Sequence, residues 1–169
     1  MSSLDLRIVQ FGYQHAHLFS RLRMDIDKES DHVLAKGGER KENALHVIAR
    51  MLISQRRTVT FLAFDGKSAI GYVSLVFPKF TKLRGNAYLT IGVREKYRGQ
   101  GIGSMLMERA ESYSKGKGVR RMELEVFGKN ERAIALYKKR GYEVEGIKRD
   151  AACAKDGYDD IVMMAKRLV

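Results

Sequence analysis

One segment constrains this chain more than any other: Val93-Arg94-Glu95-Lys96-Tyr97-Arg98-Gly99-Gln100-Gly101-Ile102-Gly103-Ser104, set between a β-type run and an amphipathic helical run. Glycines at 99, 101 and 103 let backbone N–H groups approach an anion with no Cβ in the way. The helix that starts there, in which Ile102, Met105, Leu106, Ala110 and Tyr113 share one face, turns the positive end of its dipole toward the same point. A strand, such a loop and such a helix together make a cradle for a pyrophosphate.

Two well-known phosphate loops do not fit. The Walker A form needs Gly-Lys-Ser or Gly-Lys-Thr after its glycines, and here the lysine and the magnesium-binding hydroxyl are both missing. The dinucleotide fingerprint needs Gly-x-Gly-x-x-Gly, whereas this loop reads Gly-x-Gly-x-Gly and follows hairpins instead of a doubly wound parallel sheet.

The rest of the chain reads as one mixed α/β domain over residues 1–169, since 44% hydrophobic and 31% charged residues with a single proline describe a folded protein without linker or repeat. Leu4, Leu6 and Ile8 alternate with Asp5, Arg7 and Val9 and predict a first strand; a polar helical pattern follows from Gly12 to about Lys28. Past a Gly37-Gly38 loop, Ala44, Val47, Ile48, Met51 and Leu52 predict a second helix with one buried face. Thr58 to Phe64 and Ser68 to Phe77 flank Asp65-Gly66-Lys67 as a hairpin, Pro78 ends it, and Ala87 to Val93 is a fourth strand. After the glycine-loop helix, which Gly116 to Gly118 stops, Met122, Leu124 and Val126 alternate with Glu123 and Glu125 as a half-buried strand. Asn130 caps a last helix that ends at Gly141, and two strands surround the turn at Asp156-Gly157. The fold class is therefore α/β (α+β), with a mixed, mostly antiparallel sheet, flanking helices and one crossover.

The Arg-x-x-Gly-x-Gly pattern at Arg98, Gly101 and Gly103 resembles the loop with which the GNAT superfamily of N-acetyltransferases holds the pyrophosphate of acetyl-coenzyme A (acetyl-CoA). Leu124-Glu125-Val126, Asn130, Ala133, Leu136-Tyr137 and Gly141-Tyr142 match that family's next strand and helix at the family's spacing. The likeness runs from about Ala87 to the C-terminus and weakly over the hairpin from Thr58 to Phe77, with no matched motif in the first fifty residues. It implies a single GNAT-like domain whose sheet is splayed between the fourth and fifth strands. Residues from about 1 to 56 would shape the acceptor side, and those from about 57 to 169 the sheet and cofactor core. It also implies binding of acetyl-CoA by Ile91, Gly92, Val93, Arg98, Gly99, Gln100, Gly101, Ile102, Gly103, Ser104, Asn130 and Tyr137, the cofactor's amides pairing with the splayed end of the strand at Ile91 to Val93.

Acetyl transfer sets three demands. A lysine-like amine, with a pKa of about 10.4, must lose a proton before it attacks; the resulting oxyanion needs a fixed donor; and the departing thiolate, whose conjugate acid resembles cysteine at about 8.5, takes a proton back. The resemblance assigns the last role to Tyr137, whose phenol donates to the sulfur, and an oxyanion donor to a backbone N–H near Ile91 to Val93. Glu125 matches a glutamate that serves as base through water in members resembling ribosomal-protein N-terminal acetyltransferases. Its alternation with Leu124 equally describes a solvated carboxylate. Members with an acidic residue in the strand before the glycine loop differ from this chain, which has Tyr88 there.

Charge and cysteine content bound the remainder. Thirty-two Lys and Arg against twenty Asp and Glu leave a formal charge of +12, which favours anionic partners. The basic runs from Lys79 to Arg84 and Lys115 to Arg121 raise a nucleic-acid-binding module as an alternative, without aromatic interleaving or a named motif; a non-catalytic acetyl-CoA sensor is another. Arg94, Lys96, Lys129, Lys138 and Lys139 suit either the cofactor's 3'-phosphate or solvation. The four histidines show no metal-ligand spacing, so no metal is expected. A lone Cys153, assigned to packing in a late strand, and a start without a signal-like apolar region point to the cytoplasm and away from the membrane. The expected function is acetyl-CoA-dependent transfer to a primary amine of a small molecule or a protein, with nucleic acid not required and a homodimer left open.

Overall fold

Hydrophobic alternation with period two lays down most of the sheet, and a computed structural model of the chain describes residues 5–33, 35–54 and 57–168. The strands are β1 (Leu6–Gln10), β2 (Thr58–Asp65), β3 (Ser68–Val76), β4 (Asn86–Val93), β5 (Arg121–Phe127), β6 (Glu143–Ala154) and β7 (Gly157–Arg167), in the sheet order β1-β2-β3-β4-β5-β7-β6. Every neighbouring pair is antiparallel except β4 and β5, the two joined by a crossover helix. The predicted first strand begins at Leu6 among the described residues, and Leu4 lies outside them.

Each face of the sheet buries its own cluster. Phe61, Val73, Leu75 and Leu89 on one face pack with Leu106 and Met107 of α3 (Ile102–Gly116), and Tyr137 of α4 (Glu131–Lys139) joins them. On the other face Leu62 and Phe64 pack with Phe19, Leu22 and Ile26 of α1 (Ala16–Glu29) and Val47 of α2 (Ala44–Ile53). The chain reaches α1 through a 3-10 turn at Tyr13–His15, which replaces the first turn of the helix expected from Gly12.

Two burial expectations are corrected. In α2 only Val47 is fully buried; Ala44, Ile48 and Met51 are half-buried against the same cluster, while Leu52 is 61% exposed, because the helix leans on α1 along a narrow stripe that Leu52 lies beyond. Cys153 is exposed, since it sits on β6, the outermost strand, and not in packing.

The functional geometry arises at the parallel pair. Pairing of β4 with β5 covers only Asn86 with Arg121, Ala87 with Met122 and Tyr88 with Glu123. From Leu89 onward β4 stays paired to β3 but leaves β5, which itself remains paired along its length to β7. The sheet is therefore splayed between its fourth and fifth strands, and a cleft opens at that end.

Candidate active site

The cleft has a volume of about 780 Å³, the size of a cofactor-binding pocket. Ile91, Gly92 and Val93 of the diverging strand form one wall, Gly99, Gly101, Gly103 and Ser104 the top, and Asn130, Ala133, Leu136 and Tyr137 of α4 the facing wall. Arg98 also lines it, and its Nε donates to the Val93 carbonyl oxygen at 3.1 Å, folding the side chain back over the end of β4.

Two glycines of the loop are needed for their backbone. Gly101, the residue before α3, has φ of +81° and Gly99 has φ of +82°, both left-handed conformations that a side chain disfavours. At Gly103 the reason is closeness: a Cβ there would lie 3.0 Å from Leu136 of α4. The first N–H groups of α3 thus face the cleft, with the Arg132 guanidinium of α4 lying over Gly99.

Most of the residues expected to hold a cofactor lie together along this cleft, but two do not present side chains to it. Gln100 turns outward and its Nε2 donates to the Lys96 carbonyl oxygen at 3.0 Å. Ile102 is buried in the core beneath α3, because the first turn of that helix must anchor its apolar face. Asn130 both lines the cleft and caps α4, its Oδ1 accepting from Ala133 N–H at 3.2 Å.

The Tyr137 side chain is almost entirely enclosed, with 6% of the residue exposed at the cleft wall. Burial, with smaller contributions from Tyr72 and Tyr88, raises its phenol well above the ordinary value and keeps it protonated at neutral pH. Glu125 stands elsewhere: it is outside the cleft lining, on the α1 and α2 face of β5, and its Oε1 accepts from Lys148 Nζ at 2.5 Å. Burial and then the charge of Glu125 push the neighbouring Tyr88 phenol up, so Tyr88 and Glu125 form one polar corner on that face.

Several contributors have no signal in the sequence. Arg94 ties the loop to α1, with Nη1 2.8 Å from Asp25 Oδ2 and Nε 2.7 Å from Glu29 Oε1, while the Glu95 N–H donates to Glu29 Oε2 at 2.8 Å. Ile26, Ser30, His32 and Val33, from α1 and the chain after it, thereby close the lower end of the cleft. Buried Asp159 accepts from the Lys129 N–H at 3.2 Å and fixes the turn into α4. These links span 30 to 69 positions in sequence, and only an alignment of charges across the folded chain reveals them. Of the cations near the loop, Lys129 and Lys139 line the cleft and Arg94 is consumed by its carboxylates. Among the described residues no group of three or more His, Cys, Asp and Glu is placed to hold a metal ion.

Comparison with known proteins gives a consistent picture. A family model described as the acetyltransferase (GNAT) family matches residues 22–142. The thialysine N-epsilon-acetyltransferase of Bos taurus is 38% identical over 78 residues, 46% of this chain and 46% of that protein. The ribosomal protein bS18-alanine N-acetyltransferase of Escherichia coli is 36% identical over 75 residues, 44% of this chain and 51% of that protein. The chain spans about half the length of these curated relatives. An acetyltransferase of the GNAT family from Streptococcus pneumoniae has the same fold at a TM-score of 0.89, with 23% identity over 96% of this chain and 99% of that one. A Salmonella typhimurium protein whose structure holds its cofactor acetyl-CoA follows at 0.84, with 15% identity over 97% of this chain and 94% of that one. At these identities the likeness to solved structures is one of fold.

Proposed function

This chain belongs to the acetyltransferase (GNAT) family, and from that membership we propose that it moves the acetyl group of acetyl-CoA directly to a primary amine. The observation that carries the reading is the splay: β4 abandons β5 after Tyr88, and the opening it leaves is crowned by the glycine loop and walled by Tyr137. A diphosphate fits against the exposed N–H groups at Gly101 to Ser104, and the amides of an extended pantetheine arm fit the free edge of β4 at Ile91 to Val93.

Acetyl-CoA supplies a thioester, an acyl group activated by a good leaving sulfur. The chain's own residues handle the protons. Glu125 takes one from the acceptor ammonium through water, since its carboxylate stands outside the cleft lining. The neutral nitrogen then forms the C–N bond as the C–S bond breaks. Tyr137 supports the departing sulfur from its hydroxyl; the sulfur gains one proton, and the nitrogen loses its second, so the balance closes. With its pKa raised by burial, Tyr137 is a poorer acid than the thiol it would form, and it works chiefly as a hydrogen-bond donor held in place. Direct transfer requires that no acetylated enzyme able to pass on its group can be isolated.

The deciding experiment is thermal melting with excess acetyl-CoA, against ATP and duplex DNA as controls. Ligand at a hundred times its Kd adds about 2.7 kcal/mol. A selective rise with acetyl-CoA that Gly101→Glu abolishes is expected, because the new carboxylate would occupy the anion's position. Equal melting with and without acetyl-CoA would overturn the reading.

A further inference from the structure

A second cavity, of about 260 Å³, lies on the α1 and α2 face of the sheet. Its floor is a row of hydroxyls in register across three strands: Thr60 pairs with Ser74, and Ser74 with Thr90. Thr60 Oγ1 and Ser74 Oγ lie 2.8 Å apart and buried, whereas the adjoining row of the same face, Leu62 and Tyr72, packs into the apolar cluster. Thr60 and Ser74 satisfy each other with one hydrogen bond, which uses one of their two hydroxyl protons and leaves the other able to donate to a polar guest.

The walls carry the charge. Arg23 of α1 and Arg50 of α2 both line the cavity and both grip Glu42, at 3.2 and 2.5 Å, while Arg40 pairs with Asp27 next to them. Three guanidiniums thus share two carboxylates, and one positive charge is left over beside a cavity that opens to solvent past Arg50, Val76 and Thr90. Burial pushes the Arg23 guanidinium below its ordinary pKa, and Arg40 and Arg50 add to that repulsion; an arriving anion would relieve both.

The cavity also adjoins the large cleft. Tyr72 lines it and lies directly across from Gly92, which lines the cleft; a Cβ on Gly92 would come within 2.9 Å of the Tyr72 ring. The Tyr72 phenol meets Arg23 on one side and influences Tyr137 on the other. The wall between the two spaces is one tyrosine ring thick.

We infer that this cavity, resting on the transferase reading above, receives the anionic group of a small acceptor, so that the substrate class is an amine bearing a carboxylate or similar acid group, of the size of a single amino acid. The carboxylate meets Arg23 and the hydroxyl row, and the amine points past Tyr72 toward Gly92. A polyamine is repelled by the surplus positive charge, and a volume of about 260 Å³ is room for a single residue.

The test uses the full chain saturated with acetyl-CoA and a panel of free amino acids, their methyl esters, spermidine and a short peptide with a free N-terminus. At least one free amino acid is expected to be acetylated with a KM at least about tenfold below that of its ester, the worth of one charge-assisted hydrogen bond. Arg23→Ala should erase that difference and keep the melting rise with acetyl-CoA. Should Arg23→Ala fail to fold, Thr90→Met fills the cavity from the exposed end and should raise the acceptor KM about tenfold with the acetyl-CoA response unchanged. Esters used as well as acids, acetylation of spermidine or the peptide alone, or no acceptor in the panel at all despite the melting rise would each overturn the inference. Absence of the melting rise itself would instead overturn the transferase reading.

Discussion

Tyr137 and Glu125 illustrate how differently two side chains singled out by one motif are placed. Tyr137 is enclosed at the cleft wall, with its phenol held protonated by burial. Tyr137→Phe is therefore expected to keep the melting rise with acetyl-CoA while kcat falls by about a hundredfold, the usual scale for loss of one fixed hydrogen-bond donor to developing charge. Glu125 is exposed and pairs with Lys148 across β5 and β6. Exposed pairs of this kind contribute about 1 kcal/mol or less, so Glu125→Gln should melt nearly as the parent does. With Glu125 as the base kcat/KM falls; an unchanged kcat/KM would leave it a surface ion pair. The alternation of β5 foretold its face, and the sequence held no sign of Lys148, which belongs to a strand that sits beside β5 only through β7.

At the scale of elements, the glycine loop was legible because its requirement is local: two left-handed residues ahead of a helix demand glycine whatever surrounds them. At Gly101 a Cβ would meet nothing within 4 Å, so Gly101→Ala should cost only the left-handed backbone, about 1–2 kcal/mol, read as a fall in melting midpoint. The strands and α3 were legible for the same reason, as periodic patterns complete within themselves. What holds α1 against the loop was not, since Arg94 finds Asp25 and Glu29 across more than 60 positions. Burial raises the Glu29 carboxyl, but the hydrogen bonds from Arg94 and the Glu95 N–H outweigh it and hold it below the ordinary carboxylate range. A depressed carboxylate stabilises the folded state above its unfolded pKa, about 4.3, and that contribution is lost as pH falls through the lower folded value. Acetyl-CoA affinity should therefore weaken in that acidic window as α1 comes away from the cleft, and Glu29→Gln should weaken it already at neutral pH; titration calorimetry across pH would show both.

For the molecule as a whole, the fold gathers charge at the end of the sheet opposite the cleft. Lys79, Lys82 and Arg84 precede β4, and Arg120 N–H donates to the Gly85 carbonyl oxygen at 2.8 Å, which brings the second basic run against the first. None of these four cations has an ion-pair partner among the described residues. Polyanions should therefore be held at low ionic strength and released near physiological salt, where the Debye length is about 8 Å. Reversing Lys79, Lys82 and Arg84 to glutamate should lower the salt needed to elute the protein from a heparin column and leave acetyl transfer intact; tight duplex binding at physiological salt would instead make nucleic acid a specific partner. No helix of the described residues is long and apolar enough to cross a membrane.

The three rungs that join β4 to β5 divide the sheet's hydrogen bonding into two blocks, one through β1 to β4 and one through β5 to β7, stitched by a short seam. Such a seam is where cooperativity is weakest, so amides from Leu89 to Val93 should exchange with solvent sooner than those of β2 or β7. A ligand whose own amides lie along β4 completes the missing rungs. Slowed exchange on both sides of the cleft would then record the two blocks opening and closing as one.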